Sequence, residues 1–253
     1  MSTTEQPERP SRTLKGRVAI VTGAGALPGG IGNGRAAAIM LAEVGCSVVC
    51  VDLKHELAQH TVDMIEREGE GAAIAVTGDV TNAADCKNIV DTAISTFGRL
   101  DILVNNVGIM GPKGNSVQVD MEAFVKALKV NVASVVQMAK YCIPEMVKNP
   151  GQWAGSIVNM GSVAGLRGGT PSILYPTSKG AVVNMTRAMA ANHAQERIRV
   201  NCVCPGKLTS QSLYCSPSRA KEPAIKMSTL GLVLKSGSHR LLHRNGVYAD
   251  GIW

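Results

Sequence analysis

Tyr175 and Lys179 stand four residues apart in the stretch SILYPTSKGAVVN, residues 172–184. Pro176 between them suits the first turn of a helix, where a backbone N–H would have no partner anyway. The spacing therefore predicts Tyr175 at the mouth of a helix, with Lys179 on the same face one turn later. A phenol has a free pKa near ~10, too high for ready proton exchange at neutral pH. A neighbouring ammonium favours the phenolate, and a proton-transfer group works best with its pKa near ambient pH. The pair points to a tyrosine that exchanges a proton with a substrate oxygen, provided the rest of the chain brings that oxygen to it.

The elements that would do so are legible as an alternation. Short apolar runs occur at RVAIVT (17–22), SVVCVD (47–52), AIAVT (73–77), LDILVNN (100–106), GSIVNM (155–160) and IRVNCVC (198–204). Continuous apolar runs of this length fit parallel strands buried on both faces. Between them lie longer segments rich in Ala, Met, Leu and spaced charges, among them residues 121–148 and 175–196, which end at Gly or Pro signals as helices do. Alternation at this pitch predicts right-handed crossovers and an α/β fold: a single doubly wound Rossmann-type domain, its parallel sheet flanked by helices on both faces. Ligands of such sheets bind beyond the carboxyl ends of the strands, so the residues just after each run carry the chemistry.

After the first run comes TGAGALPGGIGNGR, residues 22–35. Glycines there let the backbone approach a pyrophosphate, and the helix that follows offers it free N–H groups. A flexible turn would have the same composition, but this loop follows a strand and opens a helix. Asp52 ends the second run, about 20 residues further on, where a carboxylate accepts hydrogen bonds from both adenosine ribose hydroxyls. It would repel a 2′-phosphate, which favours NAD and leaves NADP open. GDVTN after the third run places Asp79 where a side chain can meet an adenine amino group. NNVG (105–108), Ser162 in NMGSVAG, and CPGKLTS (204–210) follow the fourth, fifth and sixth runs.

Taken in order, these residues resemble the short-chain dehydrogenase/reductase family. The resemblance runs from Lys15 to Ser210 and rests on Thr22, Gly23, Gly30, Ile31 and Gly32 in the loop, Asp52, Asp79-Val80, Asn105-Asn106-x-Gly108, Asn131, Ser162, Tyr175-x-x-x-Lys179 and Pro205-Gly206. A lone Y-x-x-x-K says little, whereas the ordered set is highly specific. It implies an NAD(P)(H)-dependent oxidoreductase that moves a hydride between nicotinamide and a secondary alcohol or ketone, with Asn131, Ser162, Tyr175 and Lys179 as the catalytic group. Tyr175 would give or take the proton, and Ser162 would hydrogen-bond the same substrate oxygen. Lys179 would tune Tyr175 and hold the nicotinamide ribose, while Asn131 would carry a water connecting Lys179 to solvent. Gly23, Gly30, Ile31, Gly32, Asp52, Asp79, Val80, Asn106, Gly108, Tyr175, Lys179, Pro205, Gly206, Leu208 and Ser210 would line the cofactor. The resemblance also implies a homodimer or homotetramer built on the helices at 121–148 and 179–196. A protein of this fold that binds nucleotide without redox turnover, as a sensor, scaffold or isomerase, is the alternative.

The sequence departs from the family pattern in two places. The glycine loop holds three extra residues, Leu27-Pro28-Gly29 or their equivalents, between Gly25 and Gly30. After Ser210 the family has a substrate lid, a further helix and a last strand; here residues 211–253 are short and basic. LGLVLKSGSHRLL is the candidate for that helix and NGVYADG for the strand. Residues 1–14 read as a disordered lead-in, 15–210 as the dinucleotide-binding and catalytic domain, and 211–253 as an atypical end of the same domain.

Bulk properties exclude other classes. The chain of 253 residues is 45% hydrophobic and 18% charged, an ordinary balance for a soluble domain. Its apolar runs fall short of the ~18 residues a membrane span needs, and the polar N-terminus lacks the apolar core of a secretory signal. Seven cysteines show neither a C-x-x-C pair nor zinc spacing, which fits buried thiols in the cytoplasm and no metal site. The net charge of +7 sits largely in residues 211–253, where six basic residues face two acidic ones, a surplus of four. With only 3% aromatic residues and no basic groove, nucleic acid is not an expected partner; a small-molecule alcohol or carbonyl compound is.

Overall fold

All five residues of VAIVT are buried, as a central strand covered on both faces requires. The computed structural model describes residues 12–27, 29–69 and 71–206, together with the backbone of 231–234. The six apolar runs become β1 (Val18–Thr22), β2 (Ser47–Asp52), β3 (Ala73–Thr77), β4 (Ile102–Asn105), β5 (Gly155–Met160) and β6 (Ile198–Pro205). They pair in parallel in the order β3-β2-β1-β4-β5-β6. The doubly wound reading holds.

Three helices in the first half, α1 (Asn33–Glu43), α2 (His55–Glu68) and α3 (Ala83–Phe97), alternate with the strands. The second half adds α4 (Met121–Leu128), α5 (Ser134–Met146), a short α6 (Ala164–Arg167) and α7 (Leu174–Asn192). The strand pleat sends alternate residues to opposite layers. Ile20, Val49, Leu103 and Ile157 pack with Ile89 of α3 and Met138 and Cys142 of α5. Ala19, Val21, Val48 and Cys50 pack on the other side with Ala38 and Ile39 of α1 and Ile65 of α2.

Three local features differ from the sequence reading. The segment 121–148 is helical through Met146 but not uniformly α, because a π-helical turn, Lys129–Ala133, lies between α4 and α5. Such wide turns displace one residue from the helical ladder and are frequent at functional sites. Helix α7 begins at Leu174, so Tyr175 lies inside its first turn and Pro176 one place later, still where no N–H is needed. Finally, residues 231–234 of LGLVLKSGSHRLL form a strand, β7 (Gly231–Leu234), antiparallel to β6. The open side of β6 presents unpaired backbone groups that a short aliphatic run satisfies. The lead-in at 1–11, the NGVYADG stretch, Leu208 and Ser210 lie outside the described residues.

At the amino ends of β1 and β4 the sheet is closed by charge. Asp101 is 5% exposed and accepts from Arg17 Nη1 at 2.7 Å, from Arg99 Nη2 and Nε at 2.7 and 2.8 Å, and from the Val18 N–H at 3.0 Å. Burial pushes its carboxyl up, but these hydrogen bonds outweigh it and hold the carboxyl below its ordinary range.

Candidate active site

Strand order reverses direction between β1 and β4, and the carboxyl ends of these two strands are stitched together. Thr22 Oγ1 donates to the Val104 carbonyl at 3.2 Å and accepts from the Asn106 N–H at 3.1 Å. Asn106 Nδ2 donates to the Gly23 carbonyl at 3.0 Å. Gly23 has φ +63°, which favours glycine, and a Cβ there would stand 3.1 Å from Asn106 Nδ2. This is the crevice where a doubly wound sheet binds its ligand.

The glycine loop leads from this crevice into α1. Gly32 caps α1 without any side-chain hydrogen bond, and the first turn holds no acidic residue. By contrast, Asn82 caps α3 and Asp120 caps α4 with their side chains. An uncapped N-terminus keeps its N–H groups available to an anion. Ile31 is half exposed beside it. Asp52 Oδ2 accepts from the Gly25 N–H at 3.0 Å and Oδ1 from the Lys54 N–H at 3.2 Å, so the acid closes the loop from the end of β2. Asp79 is oriented by the Thr81 N–H, which donates to its Oδ1 at 2.8 Å. The Val80 side chain is buried with the core of α3 and α5 rather than in the crevice.

On the opposite side of the crevice, α7 carries Tyr175 and Lys179. Lys179 is 3% exposed and its Nζ lies 5.9 Å from the centroid of the Tyr175 ring. Nζ donates to the Met160 carbonyl, the last residue of β5, at 2.7 Å. Burial pulls the ammonium down to about 8, partly offset by the sulfurs of Cys202 and Cys204. Among the described residues nothing hydrogen-bonds the Tyr175 hydroxyl, which leaves it available to a ligand. A Cβ on Gly108 would stand 3.1 Å from Lys179 Nζ and 3.6 Å from Asn131 Oδ1, so a side chain there would press on the lysine head group.

Asn131 sits in the π-turn and is 1% exposed. Its Oδ1 accepts from the Ile109 N–H and its Nδ2 donates to the Ile109 carbonyl, both at 2.8 Å, while Nδ2 also donates to Ser178 Oγ at 3.0 Å. The side chain is thus engaged in fixing the β4 loop to α7. Ser162 is buried just past β5, and its Oγ accepts from the Ala164 N–H at 3.1 Å, which leaves its own proton free to donate. Val163, Ala164, Arg167, Gly168, Gly169 and Thr170 then line a cavity of about 420 Å³ beside it. Pro205 and Gly206 end β6, where the Pro205 carbonyl accepts from the Val163 N–H at 3.1 Å and braces the same loop.

Other contributors carried weaker signals in sequence. Gly34 lets α1 meet the first loop, since a Cβ there would fall 2.0 Å from the Gly23 carbonyl oxygen. Gly165 does the same where α6 crosses α7, with a Cβ 2.4 Å from the Lys179 carbonyl carbon. Asn159 is fully buried; it accepts from Asn105 Nδ2 and donates to Thr186 Oγ1, both at 3.0 Å, tying α7 to the sheet. A glycine within a helix and a polar residue within an apolar strand were the signals. Cys202 and Cys204 are packing residues on one face of β6, with their sulfurs 3.8 Å apart.

Comparison with known proteins agrees with this arrangement. A family model described as short chain dehydrogenase matches residues 17–216. An uncharacterized oxidoreductase of Thermotoga maritima is 40% identical over 210 residues, covering 83% of this chain and 79% of that protein. The solved structure of 7α-hydroxysteroid dehydrogenase complexed with NADH and 7-oxo glycochenodeoxycholic acid matches with a TM-score of 0.70 and 38% identity, over 77% of this chain and 72% of that one. NAD+-bound xylitol dehydrogenase matches with a TM-score of 0.69 and 33% identity, over 76% and 70%.

Proposed function

The chain belongs to the short-chain dehydrogenase family and is an oxidoreductase, and from that premise we propose that it moves a hydride between NAD(H) and a secondary alcohol or ketone, with Tyr175 exchanging the proton. The observation that carries this reading is the buried Lys179 ammonium, one helical turn from Tyr175 and anchored on the Met160 carbonyl. The nicotinamide, when bound, supplies or accepts the hydride. The chain's own groups do the rest.

The residues fit a dinucleotide. The uncapped α1 N-terminus receives the pyrophosphate, and Gly23, Gly30 and Gly32 let backbone approach it. Asp52 accepts from the adenosine ribose hydroxyls with the lone pairs left by Gly25 and Lys54, which favours NAD over NADP. Asp79 faces the adenine side, and Asn106, Gly108, Pro205 and Gly206 flank the nicotinamide side. Leu208 and Ser210 belong to the same reading.

For reduction, Tyr175 Oη donates its proton to the substrate carbonyl oxygen, which Ser162 Oγ holds by a hydrogen bond. The phenolate left behind is stabilised by Lys179 in a site where little water screens the charge. In oxidation the same groups run in reverse. Asn131, held to Ile109 and Ser178, carries a water that connects Lys179 to solvent. Met121, Val125 and Val136 are exposed on α4 and α5, which supports a homodimer or homotetramer across these helices. All six described cysteines are buried and free, which supports a reducing, cytoplasmic setting.

The test is nicotinamide absorbance with NADH and NADPH against a carbonyl panel that includes a 7-oxo bile acid, and with NAD+ against xylitol. Wild type turns over at least one substrate, faster with NAD(H). Tyr175→Phe loses at least ~100-fold in kcat, the scale of general acid–base catalysis, while its NADH Kd moves less than about twofold. An undiminished rate in Tyr175→Phe removes the assigned proton donor. NADH binding without turnover on any substrate would favour the non-redox alternative.

A further inference from the structure

Arg35 is the largest fully buried side chain among the described residues, 1% exposed on the first turn of α1. A guanidinium taken out of water needs its donors satisfied, and ordinarily a carboxylate to pair with. Here the direct acceptors are neutral, and the carboxylate that acts on it is Asp52, which favours the charged form without outweighing the cost of burial. Nε donates to Thr61 Oγ1 at 3.0 Å, Nη1 to the Gly30 carbonyl at 2.7 Å and Nη2 to the Ala26 carbonyl at 2.9 Å. Thr61 Oγ1 passes its own proton to the Ala24 carbonyl at 2.8 Å.

The position of these acceptors gives the arrangement its meaning. Ala26 and Gly30 flank residues 27–29, the stretch by which this glycine loop exceeds the family pattern. Across this stretch the Gly30 N–H donates to the Leu27 carbonyl at 3.0 Å. Nothing in that one bond fixes how the enlarged loop lies against α1. Arg35 does so from beneath, gripping the carbonyls of Ala26 and Gly30, while Thr61 ties Ala24 to α2. Carbonyl oxygens drawn towards a buried cation are kept away from the α1 N-terminus, where their negative ends would oppose an anion.

We propose that Arg35 is a positioning residue for the cofactor: it clamps the loop enlarged by residues 27–29 so that the α1 N-terminus stays open to the dinucleotide phosphates. This rests on the dinucleotide reading above, but its structural half can be tested apart from it. The experiment is a double-mutant cycle between Arg35→Met and deletion of residues 27–29 in the full chain. It is read by NADH Kd from fluorescence and by amide exchange across residues 23–32. In the parent, Arg35→Met weakens NADH at least tenfold, leaves kcat at saturating NADH within about twofold, and speeds exchange in that segment alone. In the shortened-loop chain the same substitution costs less than threefold, because there is no insertion left to hold. Arg35→Lys, which keeps the charge but not the fork, falls between parent and Met.

Equal losses in both backgrounds, or unchanged NADH affinity in a folded Arg35→Met chain, overturn the proposal. Should Arg35→Met or the deletion fail to fold, Arg35→Lys decides: faster exchange confined to 23–32 supports the clamp, and unchanged exchange refutes it. If the parent binds no NADH, the cofactor reading falls, and the exchange data still settle whether Arg35 holds the loop.

Discussion

The two ends of one parallel sheet handle buried charge in opposite ways. At the amino edge, Asp101 is surrounded by two arginines and a backbone N–H, with every donor pointed at it. At the carboxyl edge, Lys179 is as deeply buried but among the described residues is held by one carbonyl and faces an unengaged phenol. The first arrangement lowers the energy of the charged state and has nothing further to do. The second leaves the charged state less comfortable than it would be in water, which under the proposed function lets it respond when a phenolate forms nearby. On the proposed function, stability and chemistry are segregated along the strands.

The largest effect should come from removing the uneasy charge. Lys179→Met loses at least ~100-fold in kcat, since Tyr175 loses the cation that favours its phenolate. Apo protein at pH 7 is no less stable than wild type by thermal melting. A variant that melts well below wild type yet turns over normally would reverse the contrast.

The same substitution should expose the cost in a pH series. A lysine pulled down to about 8 when folded and near 10.5 when unfolded disfavours folding most at low pH, where both states are charged. Between those values the unfolded chain binds more protons, so stability attributable to Lys179 rises with pH. Wild type should gain about 3 kcal/mol on Lys179→Met between pH 8 and 10.5, measured by denaturant titration. Buried thiols away from Lys179, such as Cys46 and Cys50, pushed up to about 12, titrate the other way in both proteins and cancel in the difference; Cys202 and Cys204, which feel its charge, are replaced by Ala in both proteins. A flat difference would mean that the ammonium is hydrated.

The smallest effect belongs to the well-paired end. Asp101→Asn loses about 2 kcal/mol of stability, the scale of hydrogen bonds to a charged group with half-exposed partners, with kcat unchanged. Because its carboxyl is held low when folded, that contribution is present above the ordinary carboxylate pKa and disappears as pH falls through the folded value. Wild type and variant should therefore converge below about pH 4. A variant that loses activity rather than stability would show that the two edges are coupled.

The strands were legible because burial on both faces imposes continuous apolar runs, and GSIVNM and SVVCVD begin and end in the structure where the sequence placed them. The Tyr175–Lys179 spacing was legible because helical geometry is local. The π-turn was not, since LKVNVASVVQ reads as ordinary helix; within that turn Asn131 reaches across to Ile109, a partner 22 residues away that no local pattern reveals. Arg35 was equally hidden, for a charged residue early in a helix ordinarily reads as solvent-facing.

The sequence by itself determined which residues form the sheet, which stand at its carboxyl ends, and that a phenol and an ammonium share a helical face. Only the tertiary structure decided which of those polar groups are engaged and which remain free: Asn131 fixed to a loop, Arg35 turned under another, Lys179 buried with a single acceptor. The division follows from range. Periodicity and helix spacing act over a few neighbouring residues, whereas burial and hydrogen-bond partnership are set by segments that meet only once the chain has folded.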